Sequence, residues 1–395
     1  MTGGGPGHTP ARGRRRRRLG PRLVEPFPAV GGNSVAAWEQ SPEFFDRLLR
    51  AIDAATATVD VEMYLWDDDE VGRSFVLALH RAAARGLCVR VLIDAAGASA
   101  AAGPLGVVND AGGDVRIFSP FRLRFLRRYF HRTHKKLLIC DGWHAFTGGA
   151  GFSLHWSSGA RSEAPWQDRM FEVRGPVVAQ LVRVFETDFS RWPRRSAAPP
   201  RDRLDATLDL SAAGAAELRV LRGWPDARDF RTTLLDHVSA ARDRVWIGSP
   251  YFIPPPSLLR ALTAALRRGV DVQFVLPSGN FAHPLLWHAS RRHYGWFIRR
   301  GAKIHEYEHG FYHAKIAVFD RTAAITGSSN LDYWSWNRNA EIDIVATDTP
   351  TVDLAAKAFE DDRARSREVT LREIGLRSWF TRLKERTAGW VEDWL

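Results

Sequence analysis

An internal duplication that carries chemistry constrains this chain most. His134-Lys135-Lys136 is followed by four residues, Asp141, six more residues and Gly148-Gly149. The pattern returns 179 residues later as His313-Ala314-Lys315, Asp320 and Gly327-Ser328, with identical spacing. Lysine is scarce, six against fifty arginines, yet two of the six hold the same place in the two copies. One His-x-Lys pair reads as ordinary surface; two with the same downstream Asp and Gly define a repeated unit.

The flanking sequence repeats as well. Residues 44–94 run from a helical pattern (Phe44, Leu48, Leu49, Ile52) to the alternating strand Val59–Tyr64, then to a second helix (Phe75, Leu79, Ala82) and the buried strand Val89–Asp94. Residues 230–277 do the same, with helical patterns on Phe230, Leu234, Val238 and on Leu258, Leu262, Leu266, and strands at Val245–Tyr251 and Val270–Pro277. Gly86 and Gly269, which open the second strand of each set, lie 183 residues apart. Strands alternating with helices predict α/β architecture, and two copies predict two similar units across a pseudo-twofold axis. The expected boundaries are a basic arm over 1–33, a first unit over 34–192, a linker over 193–217, a second unit over 218–350 and a helical extension over 351–395. Pro, Ser and Arg between Pro193 and Arg201 mark the linker.

The duplicated residues suit phosphate-ester chemistry. Residues two apart on an extended chain point to one side, so each copy offers one imidazole and one ammonium to a common spot. Two such pairs around one phosphorus supply a nucleophile, an acid for the leaving oxygen, and positive charge for the transition state. Asp141 and Asp320 stand at strand ends; either a catalytic carboxylate or a turn-closing one fits their place.

The doubled His-x-Lys-x4-Asp-x6-Gly-(Gly/Ser) pattern resembles the signature of the phospholipase D superfamily. Glu62-Met63-Tyr64, Arg85-Gly86, Pro250-Tyr251-Phe252-Ile253-Pro254 and Gly327-Ser328-Ser329-Asn330-Leu331-Asp332 are similar to bacterial cardiolipin synthases. The similarity spans residues 34–395 and is nearest to the branch without an N-terminal transmembrane hairpin. It implies an α/β fold of two phospholipase D-type domains, each a mixed sheet flanked by helices, that share one active site. It also implies a phosphatidyl-histidine intermediate, with no metal or other cofactor. His134, Lys136, Asp141, His313, Lys315 and Asp320 then carry catalysis. Ser328, Asn330, Gly149, Glu341 (28 residues after His313) and Asp168 bind phosphate or support the histidines. The first copy departs from the family: Gly148-Gly149-Ala150-Gly151 stands where Gly-Gly-x-Asn is expected, so Gly151 offers no amide. The resemblance favours His134 as the attacking group. The polar partners near His313 in sequence suggest that it is the acid.

The expected activity is transfer of a phosphatidyl group from one phospholipid, phosphatidylglycerol first, to the headgroup hydroxyl of another. Hydrolysis by the same residues, a nuclease of the superfamily and a non-catalytic lipid-binding scaffold are the alternatives; two complete His-x-Lys pairs argue against the scaffold. Residues 121–132 interleave Phe121, Phe125 and other apolar side chains with Arg122, Arg124, Arg127 and Arg128, which suits the boundary of an anionic membrane. The other readings are core packing and single-stranded nucleic acid, and phospholipid rather than nucleic acid is the expected partner. Leu376, Trp379, Phe380, Leu383, Trp390, Trp394 and Leu395 have partly helical spacing, for packing or for resting on a membrane. Seven arginines and no acid occupy the first 22 residues, which reads either as attraction to an anionic surface or as a solubilising extension. No 18-residue apolar run and no secretory signal are present, and only two cysteines occur. Taken with the resemblance, these imply a peripheral protein at the cytoplasmic face of a bacterial cell membrane. The histidines from His283 to His309 lack metal-ligand spacing, so no metal site is expected.

Overall fold

The computed structural model describes residues 25–39, 42–121, 131–157, 165–194, 210–223, 228–280 and 283–388. The first half supplies strands β1 (Val30–Glu39), β2 (Thr58–Met63), β3 (Cys88–Asp94), β4 (Asp114–Phe118), β5 (Lys136–Cys140), β6 (His144–Gly148) and β7 (Arg169–Arg174). The second supplies β8 (Ala216–Arg222), β9 (Arg244–Gly248), β10 (Asp271–Pro277), β11 (Lys303–Tyr307), β12 (Ile316–Phe319), β13 (Ala323–Gly327) and β14 (Ile342–Ala346), and β15 (Ser366–Glu368) follows. All pair into one 15-stranded sheet in the order β15-β11-β10-β9-β12-β13-β14-β8-β1-β7-β6-β5-β2-β3-β4. Reading outward from the β8–β1 joint, seven strands of one half match seven of the other, with β15 added at the edge of the second half, so the duplication becomes a pseudo-twofold relation. In both halves the inner strands are antiparallel, and β2-β3-β4 and β9-β10-β11 are parallel, with β15 antiparallel at the edge of the second half, a mixed sheet.

Helices α1 (Pro42–Ala54), α2 (Glu70–Ala84) and α3 (Gly106–Asp110) cover one face of the first half, and α4 (Val178–Arg191) covers the other. In the second half α5 (Asp229–Ala240), α6 (Pro256–Arg267), α7 (Pro284–Arg291), α8 (Tyr294–Ile298) and α9 (Tyr333–Asn337) are followed by α10 (Thr349–Ala364), α11 (Leu371–Leu376) and α12 (Trp379–Ala388). Strand β2 is buried along its whole length, as a strand covered on both faces must be. Its charged residues survive there by pairing: Asp60 accepts Arg90 at 2.6 Å. Helix α4 packs Val178, Leu181 and Phe185 into one cluster with Leu218 and Val220 of β8 and Ile342 and Ile344 of β14, so the core runs across the joint.

Some boundaries differ from those read along the chain. Strand β1 starts at Val30, inside the stretch assigned to the arm, because Asn33 is buried and donates to Ala216 of β8. The expected boundary at 350 falls within α10, whose Val352, Ala355 and Phe359 pack on β12 and β13; this helix matches α4 and belongs to the second half. Arg122, Arg124, Phe125, Arg127 and Arg128, most of the 193–217 linker, and Trp390, Trp394 and Leu395 lie outside the described residues. Phe121 is described and exposed. No helix among the described residues is long and apolar enough to cross a membrane.

Candidate active site

Each His-x-Lys segment leads into an inner strand, β5 or β12, and is tied to the opposite half by backbone hydrogen bonds. The His134 amide donates to Ala340 O at 2.8 Å, and the His313 amide donates to Gln167 O at 2.7 Å. Thr133 bridges Ala340 and Tyr312 bridges Gln167, so the same parallel bridge is made twice. These ties bring each histidine against a carboxylate from the other half. His134 Nδ1 lies 3.0 Å from Glu341 Oε2 and from Ser328 O, and His313 Nδ1 lies 2.6 Å from Asp168 Oδ2. The pairing is therefore crossed. Glu341, Ser328 and the loop around Asn330 surround His134, and the sequence argument that they would keep His313 protonated does not hold.

His134, Lys136 and His313 line one cavity of about 490 Å³, with Asn330 on its wall. Tyr64, Arg132, Trp156, Trp166, Tyr251, Leu286 and Asp332 complete much of the lining; Arg132 ends the segment read as membrane-facing but is buried and paired with Asp94, and the other six had no role from sequence. Their signal was present, since the segments after β2 and β9 and the loops after β6 and β13 occupy equivalent places in the two repeats. Lys136 Nζ donates to the His134 carbonyl at 2.8 Å. Lys315 turns back to the His313 carbonyl in the same way and lies 3.1 Å from His313 Nε2. Burial and the neighbouring Lys315 ammonium lower Lys136 to about 7, and burial lowers Lys315 to about 8. Burial, with Lys315 adding to it, lowers His313 to about 3 against the pull of Asp168; His134 is lowered by burial too, with Glu341 opposing. Burial raises both Glu341 and Asp168, but the positive partners outweigh it and both fall below the usual range. Burial thus favours the neutral imidazole on both sides; the Glu341 carboxylate at His134 Nδ1 favours the tautomer with a lone pair on Nε2, whereas His313 Nδ1 meets both Asp168 Oδ2 and Lys315 Nζ at 2.6 Å.

Gly149 is needed for space: a Cβ there would stand 2.2 Å from Asp168 Oδ1. A Cβ at Gly151 would meet Leu65 O at 2.5 Å, so the backbone after β2 stands in the place of the expected asparagine side chain. Asn330, its counterpart, directs one amide atom to Asp332 and leaves Oδ1 buried without a protein partner among the described residues.

Asp141 and Asp320 are not brought to this cavity. They follow the far ends of β5 and β12, with φ of 54° and 49°. Asp141 accepts the amides of Thr56, Ala57 and Thr58 at 2.8–3.2 Å, and Asp320 those of Arg242, Asp243 and Arg244 at 2.8–3.3 Å. Their carboxylates are spent closing the corners where the chain enters β2 and β9. Aspartate tolerates the left-handed backbone there better than most residues. The expectation that they act in catalysis is corrected accordingly.

Known proteins supply the remaining comparison. A family model described as cardiolipin synthase, PLD-like domain, matches residues 48–188 and 234–363. Cardiolipin synthase A of Pseudomonas syringae pv. syringae is 31% identical over 351 residues, spanning 88% of this chain and 72% of that protein. Cardiolipin synthase of Halalkalibacterium halodurans is 28% identical over 87% of this chain and 69% of its own length. The crystal structure of phosphatidylserine synthase from Haemophilus influenzae Rd KW20 shares the fold, with a TM-score of 0.73 over 94% of this chain and 97% of that one at 16% identity. With the family model covering both halves of the duplication, and these relatives covering most of the chain, this protein belongs to the cardiolipin synthase family of phospholipase D-like enzymes.

Proposed function

We propose that this protein is a phosphatidyltransferase that makes cardiolipin from phosphatidylglycerol through a phosphatidyl-histidine. The observation that carries the reading is the crossed pair of carboxylate-held imidazoles opening on one cavity, in a chain of this family. In the first step His134 Nε2 attacks phosphorus. The bond from phosphorus to the headgroup oxygen breaks, and that oxygen takes a proton from His313 as glycerol leaves. In the second, the headgroup hydroxyl of another lipid gives its proton to His313 and attacks phosphorus. The phosphorus–nitrogen bond breaks, which releases cardiolipin and restores His134. The negative phosphodiester raises the proton affinity of His313 in the complex, so the acid is charged when it is needed. With the polar partners gathered on His134, its role as nucleophile rests on the family resemblance. Mapping the phosphatidylated peptide after a rapid quench tests it.

Lys136 and Lys315 supply the charge that a metal would otherwise bring, so turnover survives excess chelator. We place the enzyme peripherally at the cytoplasmic face of an anionic membrane, in keeping with the arginines of 12–22 and 122–128. The deciding experiment incubates purified protein with labelled phosphatidylglycerol vesicles and analyses the lipids. Cardiolipin with glycerol is the expected product pair. Phosphatidic acid would replace transfer by hydrolysis, and no lipid product would overturn both.

A further inference from the structure

The exposed apolar side chains are concentrated in one place. Of ten large hydrophobic residues exposed among the described residues, Leu371, Leu376, Trp379, Phe380 and Leu383 lie within α11, α12 and the turn between them, and Leu285 lies on α7. Trp379 and Phe380 are 66% and 58% exposed, and their rings touch in a tilted arrangement with centroids 3.8 Å apart. The inner face of α12 is occupied: Glu385 and Ala388 are buried, and the helix packs on α7. The outward aromatics are therefore left over after the core is satisfied. A concentrated patch of this kind marks an interaction surface, unlike scattered single residues.

Charge and position narrow the partner. The two acids of this segment are tied up in ion pairs, Glu385 with Arg377 at 2.5 Å and Glu373 with Arg367 at 2.7 Å. Arg372, Arg382, Lys384 and Arg386 are exposed around the apolar side chains. The helix that carries the patch also reaches a residue of the active site from its buried face. Leu286 of α7 packs with Ala388 of α12 and lines the catalytic cavity. A cavity of about 490 Å³ has room for a phosphoglycerol headgroup but not for two acyl chains, so a diacyl substrate must be handled with its tails still in the bilayer.

We propose that α11, α12 and the start of α7 form a face that docks on an anionic lipid surface. Trp379, Phe380 and Leu383 enter the interfacial layer, basic side chains rest on the headgroups, and the cavity mouth is held at the membrane. The proposal rests on the phospholipid reading given above. The test compares the full chain with a Trp379→Ala/Phe380→Ala/Leu383→Ala variant, using sedimentation with vesicles of phosphatidylglycerol in phosphatidylcholine. Thermal melting, turnover of dispersed short-chain phosphatidylglycerol and solution mass are measured alongside. The expected result is vesicle binding by the parent and partitioning at least about tenfold weaker in the variant, with melting and short-chain turnover unchanged. Equal binding by both proteins, or no binding by the parent, overturns the proposal. So does a parent dimer that becomes monomeric in the variant while vesicle binding persists, because the patch would then join two copies. Vesicle binding lost in the variant, but with no lipid product from the parent, refutes the transferase reading and leaves docking supported.

Discussion

At His134 the supporting carboxylate, Glu341, is held by two hydroxyls. Ser328 Oγ donates to it at 2.5 Å and Ser335 Oγ at 2.7 Å, and Ser328 Oγ also accepts the Ile342 amide. At His313 the corresponding carboxylate, Asp168, is held by the indole of Trp156 at 3.0 Å and the amide of Arg169 at 2.8 Å. Trp156 and Ser335 occupy equivalent places in the repeat. One backbone device has thus been finished with different chemistry. A hydroxyl can donate and accept at once, whereas an indole only donates and brings an apolar ring with it. Trp156, Trp166 and Phe311 stand within 5.0–5.7 Å of the His313 ring, while His134 has Tyr64 at 4.8 Å. The His313 side is the more apolar, which matches the fall of His313 to about 3. Duplication therefore supplied a symmetric frame, and side-chain replacement made its two jobs different.

The strongest way to break this comparison is to remove one imidazole at a time. His134→Ala and His313→Ala should each lower turnover by about 10³-fold or more while circular dichroism and melting persist, because attack and proton transfer are separate tasks. Near-normal turnover in either variant would end the shared-site account.

Crossed support makes a sharper claim. Glu341→Gln and Asp168→Asn should each cost about 10²–10⁴-fold in kcat, since the amide no longer fixes the tautomer. Imidazole nitrogen NMR should show Glu341→Gln perturbing His134 and Asp168→Asn perturbing His313. Perturbation of the histidine from the same half would refute the crossed pairing.

The lysines set a smaller effect, on affinity. Free Lys136 and Lys315 lose their protons near 7 and 8, and a bound phosphodiester favours the charged forms. Binding then takes up protons, and affinity falls as pH rises through that window, by about tenfold between pH 6.5 and 9 for a substrate-like phosphodiester. Calorimetry in buffers of different ionisation enthalpy reads the proton count; affinity that rises with pH would contradict the low values.

The smallest effect on activity belongs to the corners. Asp141→Ala and Asp320→Ala remove several accepted hydrogen bonds remote from the cavity, so each should cost about 1–3 kcal/mol of stability in a urea titration. The kcat/KM of the folded protein should stay within about twofold. Turnover lost at unchanged stability would restore these aspartates to the catalytic set.

Much of this architecture is legible in the sequence. Helix α1 follows Phe44, Leu48 and Ile52, strands β2 and β9 follow their apolar runs, and the duplicated His-x-Lys-x4-Asp identifies both active segments. Periodicity and spacing are local properties, so the residues themselves carry them. Which carboxylate serves which histidine is not local. Glu341 lies nearer His313 in the chain, yet it reaches His134 because β1 and β8 join the halves edge to edge and the bridges Thr133–Ala340 and Gln167–Tyr312 cross between them. Asp141 and Asp320 mislead in the opposite sense. Sequence places them beside the catalytic pair, but the strand that follows each lysine carries its aspartate to that strand's far end. The lowered lysines depend on burial, and for Lys136 also on the Lys315 ammonium from the other half, and both arise only once the halves close on each other. Chain order determined the parts and their twofold plan; long-range strand pairing decided which of them meet.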